Sequence, residues 1–187
     1  MKKLSNLMPF SNFISTLFYS MSYPYIYAEL LKVVSRKYIS FEQIISCIGI
    51  VIFGYVWNRY GDVLFQYYTK ILILEVTADS ILFTDVLIRN DLKFYFVLNV
   101  VIYAVITKNL CCGGIKLRAK VNPTEQLREK FDNNSNSVYA IATLLGTFIA
   151  LIFDINVKTL FILALIGNVS DNFVYFYIYK KAIKLNL

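Results

Sequence analysis

The chain has 187 residues, of which 58% are hydrophobic and 17% charged, with 15 Tyr, 15 Phe and a formal net charge of +7. Ordinary soluble domains carry roughly 45–50% apolar and about 25% charged residues, so this balance excludes a soluble enzyme, a free nucleic-acid-binding domain and a disordered chain. The sequence has no His, which excludes His-based catalysis and His metal sites, and its 3 Cys (Cys47, Cys111, Cys112) fit neither a zinc ligand set nor a disulfide framework.

A membrane helix needs roughly 20 mostly apolar residues. Six such segments follow one another, from about Met8 to Leu31, Phe41 to Trp57, Val63 to Ile88, Leu92 to Cys112, Val138 to Phe153 and Val157 to Tyr179. The expected fold is therefore all-α: a polytopic bundle of about six transmembrane helices, forming a single membrane domain over residues 1–187 in a lipid bilayer. Lys2 and Lys3 precede the first segment as they would in a signal peptide. Pro9, Ser11, Asn12, Ser15 and Ser20 interrupt it, and no small-x-small site follows, so an uncleaved first helix is expected. Its serines, together with Ser22 and the Tyr23-Pro24-Tyr25 kink signal, serve helix–helix contacts or a substrate equally well.

The connections predict topology. Lys32–Ser40, the turn Asn58–Asp62, Arg89-Asn90-Asp91, the long polar loop at about 113–137 and Asp154-Ile155-Asn156 alternate between the two sides. The N-terminal side collects Lys2, Lys3, Arg59, Lys116, Arg118, Lys120, Arg128, Lys130, Lys180, Lys181 and Lys184. The other side has only Lys32, Arg36, Lys37, Arg89, Lys93 and Lys158. Basic residues favour the cytoplasm, so both termini are expected there, in a multi-pass protein of the cell membrane. The excess positive charge thus reports topology, and attraction to anionic lipid is secondary. A nucleic-acid partner is not expected.

Within the long loop, Asn122 to Phe131 reads as a short surface helix. Asn122 is its cap, Pro123 its first residue and Glu125 the capping-box partner, and Leu127 and Phe131 lie one turn apart on the membrane side. Gly113-Gly114 reads as the stop of helix four.

Charges inside the spans are the candidate site. Glu75 and Asp79 are four apart on one face of helix three, with Glu75 near the midplane. A central ionised Asp costs about 2.5–3.5 kcal/mol on insertion scales. The pair therefore implies protonation of one member, a bound cation or a basic partner. Helix six carries Asn168, Asp171 and Asn172 on one face, with Asp171 near mid-membrane. Glu75, Asp79 and Asp171 are thus candidates for proton or cation binding, or for structural pairing across helices. Lys70 and Lys108 lie nearer the cytoplasmic side, where they can snorkel, and Lys108 is a candidate partner for Glu75. Tyr175, Tyr177 and Tyr179 read as interfacial anchors. No metal or cofactor site is expected. The carboxylates lack the flanking motifs of an intramembrane aspartyl protease, so no enzyme is expected either.

The segment Gly54-Tyr55-Val56-Trp57-Asn58-Arg59-Tyr60-Gly61-Asp62 resembles the cytoplasmic signature between helices two and three of the major facilitator superfamily. There a Gly, three residues, an acidic residue, Arg, any residue and Gly precede two basic residues. Asn58 stands where the family has Asp, and Asp62 and Val63 where it has basic residues. Lys116 to Gly146 is similar to the four-to-five loop of its drug-efflux-like members. The resemblance implies half of a facilitator-type fold, with Gly54, Asn58, Arg59, Gly61 and Asp62 as gating-loop candidates. It also implies a half-sized transporter, with proton-coupled export of a small molecule, that works as a homodimer or with a second half. The alternative is a non-transporting membrane protein: an accessory subunit, an immunity-type protein or a transporter remnant.

Overall fold

Helices make up nearly all of the chain. The computed structural model describes residues 2–89, 91–153 and 155–184, with the side chains of all but 2–6, 85 and 89. The expected turn residues Asn90 and Asp154 lie outside the described residues, as do the side chains of Lys2, Lys3 and Arg89. The helices are α1 (Lys2–Val33), α2 (Arg36–Phe65), α3 (Tyr68–Arg89), α4 (Leu92–Val121), α5 (Glu125–Ile152) and α6 (Val157–Lys184). A π-helical segment, Ile102–Thr107, lies inside α4.

Four helices, α2, α4, α5 and α6, are long and apolar enough to cross a membrane. The chain is thus an all-α protein of multi-pass membrane character. At 1.5 Å per residue α1 and α3 extend about 48 and 33 Å, enough to span. They are more polar, however: α1 holds a run of Ser and Asn, and α3 holds Lys70, Glu75, Asp79, Asp85 and Arg89.

The structure moves several expected boundaries. The turn expected at Asn58–Asp62 is helical, and α2 runs on to Phe65. The chain reverses at Gln66 and Tyr67 instead, where Gln66 N donates to Val63 O and Tyr67 N to Leu64 O, at 3.2 and 2.9 Å. Across this reversal Tyr68 stacks on Phe65 and meets Trp57 edge-on. Gly113 and Gly114 do not stop α4. A Cβ on Gly113 would lie 2.6 Å from the Tyr68 ring and 2.7 Å from Trp57, so this glycine makes room for two aromatic side chains.

The long loop expected at 113–137 shrinks to Asn122-Pro123-Thr124. The N-cap of α5 is Thr124 rather than Asn122, with its hydroxyl accepting from Leu127 N at 3.4 Å. Asn122 is buried and closes α4: its backbone N and its Nδ2 both donate to Arg118 O. Arg128 then ties the turn, with Nε donating to Asn122 O and Nη2 to Pro123 O. Leu127 is exposed, whereas Phe131 is buried under the Arg118 guanidinium. Of the expected tyrosine anchors, Tyr177 is exposed, while Tyr175 and Tyr179 are buried.

The chain forms two compact units, residues 27–116 and residues 1–26 with 117–187. In the first, α4 lies beside α2 and α3. The pairs Glu42–Asn99, Gly49–Ala104, Trp57–Asn109 and Asp62–Lys116 rise in number together, so α2 and α4 are parallel. Tyr68–Gly113 and Phe83–Tyr95 run in opposite senses, so α3 and α4 are antiparallel. The π segment sits at the middle of this unit, packed on both α2 and α3.

In the second unit α1 lies beside α5 and α6. Ser11–Asp171, Phe18–Gly167 and Ser22–Leu160 make α1 and α6 antiparallel. Leu17–Gly146 and Tyr25–Ala150 make α1 and α5 parallel. Met21, Ala150 and Leu160 form the apolar core between the three helices. The exposed faces of α2 and α5 are aliphatic and aromatic, with Ile48, Val51 and Ile52 on one and Leu144, Phe148 and Leu151 on the other. Such faces suit lipid.

Candidate functional site

Glu75 and Asp79 lie on the buried stripe of α3. Tyr68, Leu72, Glu75, Asp79, Leu82 and Val86 alternate in steps of three and four, and all are buried. That spacing keeps one helix face turned inward, and α3 packs against α4 and its π segment. The two carboxyls are close enough for the charge on Glu75 to act on Asp79. The expected common face is therefore observed.

Asp171 belongs to the other unit. Its Oδ1 accepts a hydrogen bond from Ser11 Oγ at 2.5 Å, and the Arg118 charge acts on it. Ser11 is buried on α1, and its pairing with Asp171 is a contact between residues 160 apart that no local pattern announces. Beside Asp171, Asn172 Nδ2 donates to Asn168 Oδ1 at 3.4 Å.

The stripes of α3 and α6 correspond. One shift in register takes Glu75 to Asn168 and Asp79 to Asn172. The same shift takes Tyr68 to Phe161, Leu82 to Tyr175 and Val86 to Tyr179. The α3 partners in these matches are buried, as are all the α6 partners except the partly exposed Asn168. Two helices with the same place in their units thus carry a polar pair at the same face positions. It is acidic on α3 and amide on α6.

The gating-loop candidates have a different setting from the one expected. Gly54, Asn58, Arg59, Gly61 and Asp62 are all inside α2. Gly54 faces open space, so no neighbouring helix approaches closely at this residue. Gly49 makes that approach instead, against the Ala104 carbonyl. Gly61 is helical and buried, and a Cβ on it would meet Lys116 Nζ at 2.8 Å. The Lys116 ammonium pairs with Asp62 at 2.7 Å. Asn58 and Arg59 are exposed, with the Arg59 guanidinium 5.9 Å from the Tyr60 ring centroid.

Lys70 lies in the first turn of α3, over the Tyr67 ring. Lys108 differs from its expected snorkelling pose. Its head lies over the Tyr103 ring, on the N-terminal side of its own Cα, and its charge acts on Glu42. Glu42 was not singled out by sequence, because it stands near the start of α2 among polar residues. Among the described residues no group of His, Cys, Asp and Glu is arranged to hold a metal ion.

Compared with protein-family models, curated proteins and solved structures, the chain matches none.

Proposed function

We propose that this chain is one six-helix half of a facilitator-type transporter. In this reading it moves a small molecule across the cell membrane as a homodimer or with a partner half, with both termini cytoplasmic. The observation that carries it is the exchange of helices between triplets. α4 packs with α2 and α3, and α1 packs with α5 and α6. In each unit the exchanged helix is parallel to the middle helix of the other triplet and antiparallel to its last. This is the pattern of two inverted three-helix repeats, the building plan of each six-helix facilitator half. The matching polar stripes of α3 and α6 support the same correspondence. α1 and α3 then cross the membrane too, with Ser11, Ser22, Glu75 and Asp79 buried within their units. Glu75, Asp79 and Asp171 are the proton- or cation-binding groups.

The test is the mass of the purified protein in nanodiscs. A homodimer, or a complex with a second six-helix chain, is the expected result. A strict monomer without a partner leaves the substrate path without a second wall and ends this reading.

One observation favours the alternative of an accessory, immunity-type or remnant protein. The segment expected to gate is continuous helix, and Asp62 is engaged by Lys116 within its own unit. A stable complex with an unrelated membrane protein would support that alternative.

A further inference from the structure

α6 has one face on α1, where Leu160, Gly167 and Asp171 meet Ser22, Phe18 and Ser11. On the opposite face Ile166, Val169, Phe173 and Tyr177 are all exposed, Phe173 at 70%. Their steps of three and four keep them on one stripe. From Ile166 to Tyr177 the stripe is about 16 Å long, close to the roughly 15 Å of hydrocarbon in one leaflet. α6 is long and apolar enough to cross a membrane, so this stripe suits acyl chains.

Three lysines crown the stripe. Lys180, Lys181 and Lys184 are exposed and fall within an arc of about 100° that also holds Phe173 and Tyr177. The Lys180 ammonium lies 5.5 Å from the Phe176 ring centroid, and the Lys181 ammonium 5.8 Å from that of Tyr177. Each ring belongs to the residue four before its lysine, so both ammoniums lean back toward the apolar stripe. They are thereby turned away from the last carbonyls of α6, the partners a helix end offers a cation. Among the described residues no ion pair engages any of the three lysines. A ring face leaves the three donors of an ammonium open. The one acidic residue of α6, Asp171, points the other way, to Ser11. The outer face of α6 therefore has a positive head directly above an apolar stem.

We propose that this face of α6 binds an anionic phospholipid. The acyl chains lie along Ile166, Val169 and Phe173, and the phosphate accepts hydrogen bonds from the lysine ammoniums. A zwitterionic lipid brings its own cation to the lysines, so the anionic lipid is preferred by charge. Charge also selects lipid over a second copy of this chain. The same face on another copy is equally positive, and like charges brought together across an interface repel. The inference goes beyond the transport reading and stands without it, since it needs only that α6 lies in a bilayer.

The test uses the full chain carrying Phe173→Trp, reconstituted in phosphatidylcholine vesicles. Quenching of its fluorescence by brominated phosphatidylglycerol is compared with quenching by brominated phosphatidylcholine. Trp57 is buried, and its signal is measured in the parent chain and subtracted. A lysine at an anionic membrane surface strengthens binding about fivefold. Brominated phosphatidylglycerol should therefore be favoured about fivefold or more, and Lys180→Gln/Lys181→Gln/Lys184→Gln should bring the preference below about twofold. Arg at the same three positions should keep it. Lys158→Gln, at the other end of α6, should leave it unchanged. Equal quenching by the two lipids, a preference that survives the triple Gln variant, or one that Lys158→Gln also removes each overturn the proposal. Quenching by neither lipid would show that protein covers this face, with a second copy as its occupant, and would overturn it too.

Discussion

Gly146 of α5 sits against the carbonyl oxygen of Leu17 in α1, and a Cβ there would come within 2.5 Å of it. Neither backbone can yield without parting the helices. Gly146→Ala is therefore expected to destabilise the protein by about 1–3 kcal/mol. Gly54 is the control, with open space around it. Gly54→Ala should be neutral or stabilising by up to about 1 kcal/mol, through helix propensity alone. Thermal unfolding in nanodiscs measures both, and equal losses would contradict the packing described.

Ser11 donates to Asp171 from a buried position. Ser11→Ala removes the donor and leaves a carboxyl oxygen unsatisfied, so a loss of about 1–3 kcal/mol is expected. Asp171→Asn keeps an acceptor oxygen for Ser11 and should cost less. The order of the two melting temperatures checks this. The reverse order would mean that the charge of Asp171, rather than its acceptor, holds α1 to α6.

Trp57 is the one tryptophan of the sequence, and its Nε1 donates to Asn109 Oδ1 at 2.6 Å. Its fluorescence therefore reports the α2–α4 contact directly. Asn109→Leu should shift the emission to shorter wavelength, as a polar partner gives way to an apolar one, and cost about 1 kcal/mol. An unchanged spectrum would place Trp57 away from Asn109.

The α6 stripe carries Asn168 and Asn172 where α3 carries Glu75 and Asp79. Amides are thus compatible with this position in the fold. Glu75→Gln/Asp79→Asn should fold at least as well as the wild type, because it also removes the repulsion between two like charges. The same variant should abolish proton-coupled flux. Retained flux would remove Glu75 and Asp79 from the coupling role, and failure to fold would show that the carboxyls make pairings amides cannot replace.

The helical class of the protein and its membrane character were legible in the sequence. Long apolar runs follow from composition and spacing, which are local properties; six spans were expected, and four of the six helices are long and apolar enough to cross a membrane. The shared face of Glu75 and Asp79 was legible for the same reason, since a spacing of four fixes it on any helix. The turn was not. Asn58, Gly61 and Asp62 carry turn chemistry, yet Lys116 closes over Gly61 and the helix continues. Gln66 and Tyr67 carry no turn signal, yet Tyr68 folds back onto Phe65 and Trp57. Thr124 displaced Asn122 as a cap because Asn122 was already committed to the end of α4. The pairing of Ser11 with Asp171 and the exchange of α1 and α4 between triplets depend on which helices become neighbours. Neighbours are chosen by close approach at Gly49, Gly113, Gly146 and Gly167. That choice is made by packing between distant segments, and spacing along one helix cannot express it.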